Sequence, residues 1–178
     1  MAALSDSPTM LGSCAKAATA AEARFRVDYP NSKQRASRII ALDETSAAVM
    51  QRIAEAPWHG AHFLTYVSKT AGAKGLDSLP VDASLTVVDG GEVRLSGELD
   101  GADVVVMIAA AGGASDAAAV IGNACFVRGI MTTGLIVAGG GDRSEIERTV
   151  SALRPYAAML VVSTSEEYIP EMLTALRA

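Results

Sequence analysis

From Arg38 onward the chain alternates short apolar runs with longer amphipathic ones. Residues 39–42 form the first apolar run and read as a short buried strand. Thr45 or Ser46 then offers a capping hydroxyl to a helix running to about Ala56, where Pro57 stops it. Residues 61–67 read as a second strand, rich in aromatic and β-branched side chains. Residues 69–82 show no strong periodicity, and residues 85–88 form a third strand. Residues 90–99 fit two patterns: a hairpin turning at Gly90-Gly91, or a weak crossover from Glu92 to Leu99. Val104–Ala110 is apolar throughout, the mark of a strand buried on both faces of a parallel sheet.

The second half repeats the alternation. A helix over residues 115–128 stops at Gly129, and residues 131–138 form another buried strand. Gly139, Gly140, Gly141 and Asp142 make a loop. The next helix spans residues 144–154, with Glu145 and Glu147 near its positive end and Arg154 at its negative end. A strand over 159–162 and a helix over 169–177 follow. This order predicts an α/β fold: a three-layer, Rossmann-like, mostly parallel sheet with helices on both faces. Its expected core includes Ile40, Leu64, Val87, Val105, Met107, Ile136 and Val161.

Residues 1–37 break the pattern. They are rich in Ala, Ser, Lys and Arg, with Pro8 and Pro30. They are expected to form an arm, partly disordered or packed on a partner, ahead of the α/β domain at 38–178. Met10, Leu11, Phe25, Val27 and Tyr29 are poorly used in water. A homo-oligomer, a dimer first, is therefore expected through the arm or an exposed sheet edge. The alternative is a disordered arm on a monomer.

Composition narrows the classes. A chain of 178 residues, half of them apolar and 4% aromatic, suits one domain with tight helix-on-sheet packing. A net charge of −5 argues against nucleic acid as a partner. No basic and apolar leader opens the chain, and no apolar run approaches the ~18 residues of a membrane span. The expectation is a cytoplasmic protein with no membrane partner. Cys14 and Cys125 show no metal-binding spacing, and Cys125 reads as a buried thiol.

Candidate chemistry gathers at the strand-to-helix turns, where α/β proteins hold phosphates on free N–H groups and helix dipoles. The first turn is Asp43, Glu44, Thr45, Ser46. The second is Gly112, Gly113, Ala114, Ser115, Asp116. The third is Gly139, Gly140, Gly141 with Arg143, and Ser68 and Lys69 follow the second strand. The small residues of the second turn can admit an anion, or form a tight turn capped by Ser115 or Asp116. Asp43 and Glu44 place two negative charges where a phosphate would sit. Lys69 or Arg143 could offset them, or the two carboxylates could hold Mg²⁺; both residues also read as solvated surface. No catalytic constellation is present, and no metal site is assigned.

The pattern carries a family resemblance over about 130 residues, from Arg38 to about Ile169. Ile39-Ile40-Ala41-Leu42 looks like the first strand of the FtsZ/tubulin family, and Ala48 to Ile53 like its following helix. Gly60-Ala61-His62-Phe63-Leu64 is similar to that family's Gly-x-Glu-Phe-Ile, and Gly101-Ala102-Asp103-Val104-Val105-Val106 to its Gly-Ala-Asp-Met-Val-Phe. The run from Arg128 to Ile136 is similar to Leu-Gly-Ile-Leu-Thr-Val-Gly-Val-Val. Leu153 to Val162 resembles Leu-Arg-x-x-Val-Asp-x-Leu-Ile-Val. The resemblance implies the fold of the family's nucleotide-binding half. Most of these residues are packing residues.

The departures bear on function. The family's first loop is Gly-Gly-x-Gly-Gly; here Asp43-Glu44-Thr45-Ser46-Ala47 stands in its place. Its Gly-Gly-Gly-Thr-Gly-Thr-Gly signature is matched only by Gly112, Gly113 and Ser115. Ser163-Thr164-Ser165 lacks the asparagine that reads guanine. The chain is expected to end before the central helix and second domain that drive GTP hydrolysis. The resemblance thus implies a binding or assembly protein with a degenerate nucleotide site and no hydrolysis. Two alternatives stand beside it. One is an enzyme or sensor taking a nucleotide, with Mg, or another phosphorylated small molecule. The other is a purely structural homo-oligomer.

Overall fold

The computed structural model describes residues 35–67 and 83–178. Among these residues, seven strands and five α-helices follow in chain order: β1 Ser37–Ala41, α1 Glu44–Ala54, β2 Ala61–Tyr66, β3 Ser84–Val87, β4 Glu92–Arg94, α2 Leu95–Leu99, β5 Val104–Ala110, α3 Ala117–Arg128, β6 Met131–Val137, α4 Arg143–Leu153, β7 Met159–Ser163 and α5 Tyr168–Ala175. A 3-10 turn at Arg154–Tyr156 joins α4 to β7.

The strands form one sheet in the order β4-β3-β2-β1-β5-β6-β7. The pairs β1–β2, β1–β5, β5–β6 and β6–β7 are parallel, while β3 and β4 run antiparallel at one edge. The fold is α/β with a mostly parallel sheet. The order reverses between β1 and β5. At such a switch point neighbouring crossovers leave in opposite directions and open a crevice beyond the carboxyl ends.

Alternation along each strand splits the core in two. Ile40, Leu64, Val105, Met107 and Ile136 face one side, against Ile121 and Cys125 of α3 and Leu153 of α4. Ile39, Val106, Ile108 and Leu135 face the other, against Val49, Met50 and Ile53 of α1 and Ile169, Met172 and Leu173 of α5. Helices therefore cover both faces. All seven residues of β5 are buried, because β5 has a strand on each side and helices above and below.

Several sequence expectations are corrected. Val87 and Val161 are half-buried rather than buried, because they lie in outer strands. Residues 90–99 do not form a crossover. Gly90 and Gly91, with φ of 96° and 109°, turn a hairpin closed by the Val87 N–H donating to the Gly91 carbonyl at 3.0 Å. Positive φ of this size is costly for any side chain, which explains glycine at both places. Helix α1 ends at Ala54, short of Pro57, and the next residues bring in Trp58. The Trp58 indole N–H donates to the Ile53 carbonyl at 2.9 Å, and its ring packs tilted on Phe63. Most of the expected arm and the segment with Ser68 and Lys69 lie outside the described residues. Among the described residues no helix is long and apolar enough to cross a membrane.

Cys125 is fully buried on α3, as expected. Burial pushes its thiol up to about 11, and the nearby Arg128 charge only partly opposes this. The folded state therefore holds the proton more tightly than the unfolded chain. That contribution to stability is present below the unfolded pKa and is lost as pH rises through the folded one. In a Cys14→Ser variant, alkylation of Cys125 at neutral pH should be negligible until the chain unfolds. Fast labelling of the native protein would contradict this burial.

Candidate functional site

The crevice is bounded by the loops after β1, β5 and β6. Asp43 leaves β1 extended and caps α1, with Oδ1 accepting the Ser46 N–H at 2.9 Å. Ser46 returns the bond through its hydroxyl, which accepts the Asp43 N–H at 3.2 Å. Thr45 and Ser46 are therefore not the cap. A carboxylate two or three residues earlier takes that place and starts the helix at Glu44. The other oxygen, Oδ2, accepts the Ala110 N–H at 2.9 Å, so Asp43 ties the first helix to the end of the central strand. Glu44 is exposed in the first turn, where the helix dipole favours an acid.

Gly113 meets Asp43 from the second loop. A Cβ there would lie 2.7 Å from the Asp43 carboxylate and 3.1 Å from the Ala110 carbonyl. Glycine is needed here to let the loop close over the acid. The Gly112 N–H donates to Thr149 Oγ1 at 3.0 Å, across to α4. Ala114 is exposed and Ser115 half-buried. Asp116 occupies the N-cap position of α3 but makes no capping bond, and Ser115 makes none either. Helix α3 thus begins at Ala117 without a side-chain cap. Tyr66, at the carboxyl end of β2, has its phenol pushed above the ordinary value by burial and then by the Asp116 carboxylate. Tyr66 packs against the same core cluster as Ala117 and Ala118 at the start of α3.

The third loop repeats the design of the first. Asp142 caps α4, accepting the Glu145 N–H at 2.9 Å and the Ser144 hydroxyl at 2.7 Å. The Ser144 hydroxyl, followed by the Glu145 N–H, holds its carboxyl below the usual range. Glu145 Oε2 accepts the Asp142 N–H at 3.0 Å in return. The same Glu145 side chain fills the space between the second and third loops. A Cβ on Gly112 would lie 3.2 Å from its carboxyl group, and one on Gly141 would lie 3.1 Å from it. Gly139 and Gly140, with φ of 56° and 130°, only make the turn, and nothing stands near them. Arg143 is 92% exposed and bonds Glu147 at 2.8 Å along its own helix.

The structure thus brings Asp43, Ser46 and Gly113 together, sets Gly112 against Thr149 and Glu145, and places Arg143 away on the surface of α4. Glu145, Thr149 and Ala110 belong to the site as well. The spacing Asp142-x-x-Glu145 is a capping-box signal that could have marked Glu145. The Ala110 and Thr149 bonds, 67 and 37 residues distant in chain, have no local signal. Among the described residues no group of three or more His, Cys, Asp or Glu could hold a metal ion. Each Asp43 oxygen accepts one backbone donor, and the neighbouring Glu44 is exposed in the first turn of α1.

A second polar cluster lies at the opposite, amino-terminal ends of the strands. Arg38 Nε bonds Glu98 Oε2 at 2.9 Å, and His62 Nδ1 approaches the same oxygen at 3.1 Å. Trp58, Phe63, Val88 and Asp89 complete a hollow of about 390 Å³ beside it. Arg38 and Glu98 are mostly buried, and the Arg38 Nε also bonds the Glu98 carbonyl at 2.7 Å. The cluster anchors α2 to β1. A comparison with protein-family models finds no match, and a comparison with curated proteins finds none.

Proposed function

We propose that this chain is a Rossmann-like binding or assembly protein of FtsZ/tubulin-like build whose nucleotide crevice is filled by its own carboxylates. The parallel strand order β2-β1-β5-β6-β7 supports the doubly wound reading, since it is one of the two common orders of such sheets. A single observation carries the functional half. Asp43 accepts the Ser46 and Ala110 N–H groups, the donors a phosphate at this switch point would use. A second anion about 4 Å from that carboxylate would be repelled by roughly 4 kcal/mol at an effective dielectric of 20. Glu145 adds a further negative charge one loop away, and no cation among the described residues faces either acid.

The uncapped start of α3 favours a second reading. The Ala118 and Ala119 N–H groups already bond the Ser115 and Asp116 carbonyls, so the Ala117 N–H, the Ser115 side chain and the Tyr66 phenol are what could receive a small phosphorylated ligand, as an enzyme or sensor would. The Asp116 charge stands against it. A thermal-shift series with GTP and ATP, with and without Mg²⁺, separates the two. The filled-crevice reading expects no shift and no GTP hydrolysis at any protein concentration. A ligand at ~100 times its Kd would add about 2.7 kcal/mol, roughly a 5–10 °C rise for a chain of this size. A rise of that order would replace the first reading with the second.

A further inference from the structure

The two edges of the sheet are built differently. β4 carries Glu92 and Arg94, and charges on an edge strand discourage the addition of another. β7 reads Met159-Leu160-Val161-Val162-Ser163, with neither a charge nor a proline. The Ala138 N–H donates to the Ser163 carbonyl, so the odd-numbered residues of β7 turn their backbone groups to β6. Alternation then turns the N–H and C=O groups of Leu160 and Val162 outward. Nothing among the described residues bonds them. Met159 and Val162 are 41% and 43% exposed on this edge.

We infer that a second copy of this chain pairs with β7, antiparallel about a two-fold axis at Val161, and joins the two sheets into one. The pairing uses the outward groups of Leu160 and Val162 in both copies as hydrogen-bonded partners. Leu160 then lies opposite Val162 of the partner subunit on one face, and Val161 meets its own copy on the other. Charge favours the same direction. Arg154 precedes the strand and Glu167 follows it, and neither makes an ion pair among the described residues. Antiparallel pairing brings the turn before one strand, which holds Arg154, towards the turn after the other, which holds Glu167. A self-paired edge closes as a C₂ dimer, whereas β7 on the charged β4 edge would run on as an open fibre.

The inference gives the assembly reading its partner and rests on it to that extent, but its test is separate. A nucleotide-induced shift would overturn the filled crevice and leave the dimer standing; a monomer would overturn the dimer alone. Sedimentation of the full chain at tens of micromolar should give about twice 18.3 kDa. Val162→Lys should give a folded monomer by circular dichroism. Val161→Cys in a Cys14→Ser background should form a disulfide-linked dimer under mild oxidation, because the axis sets this residue against itself. If Val162→Lys does not fold, the cysteine variant decides. A monomeric wild type overturns the inference. So does a dimer that survives in folded Val162→Lys, or one whose Val161→Cys form stays unlinked; either would move the contact to another surface, such as the hollow beside Phe126 and Met131.

Discussion

Asp43→Ala is expected to lower the stability of the chain by about 2–4 kcal/mol. Two losses combine. Removing an N-cap acid costs about 0.5–2 kcal/mol, since the Ser46 N–H loses its acceptor. The Ala110 N–H, on a residue only 8% exposed, loses its partner too, and a buried unpaired donor costs about 1–3 kcal/mol. Asp43→Asn keeps one good acceptor and should fall between the variant and the wild type. Urea unfolding should show a lower midpoint with an unchanged slope. A loss under about 0.5 kcal/mol would mean that the carboxylate holds nothing together, and the filled-crevice reading would lose its support.

The second large effect has a sign opposite to the one helix propensity suggests. Gly122 sits within α3, where alanine normally gains about 1 kcal/mol over glycine. Here a Cβ would lie 2.4 Å from Tyr156 Cβ and 3.0 Å from its Cγ. The first of these atoms is fixed to the backbone and cannot swing aside. That backbone is itself held, because the Tyr156 carbonyl accepts the Thr132 hydroxyl at 2.7 Å. Either α3 or the 3-10 turn must shift, at the usual 1–3 kcal/mol or more of overpacking. Gly122→Ala should therefore destabilise the protein by about 1–2 kcal/mol net. Gly97→Ala in α2 is the control, since nothing stands within 4 Å and the change should be neutral or mildly stabilising. A more stable Gly122→Ala protein would show that the helix and turn are not in close contact.

The elements were legible where burial was complete. β5 was readable to the residue, because a strand covered on every side must be apolar at every position. β3 was read one residue late, at 85–88, and β4 was left open between a hairpin and a crossover, because a three-residue half-exposed edge strand carries polar residues and shows no clear alternation. The position of the strand-to-helix turns was also legible, since an alternating α/β pattern sets them at the carboxyl ends of parallel strands. Its contents were less so. The glycines of the second and third loops fit a phosphate as well as they fit a neighbouring carboxylate. Only the fold shows that Gly113 makes room for Asp43, Gly112 for Glu145, and Gly141 for Ala111 and then Glu145. The cap of α1 was misplaced for the same reason. The sequence shows the hydroxyls of Thr45 and Ser46, but not the second bond that recruits Asp43 from across the sheet.

That second bond also sets an order of events in folding. β1 is the middle strand, and one of its two neighbours, β5, is made more than sixty residues later in the chain. Until residues 104–110 arrive, β1 has one bare side and the Asp43 carboxylate has only half its donors. The first strand-helix-strand unit cannot settle by itself during synthesis. Such distant pairing pays loop-closure entropy before any contact rewards it, which slows folding. The acid at the first turn acts as a latch that closes only when the centre of the sheet is complete.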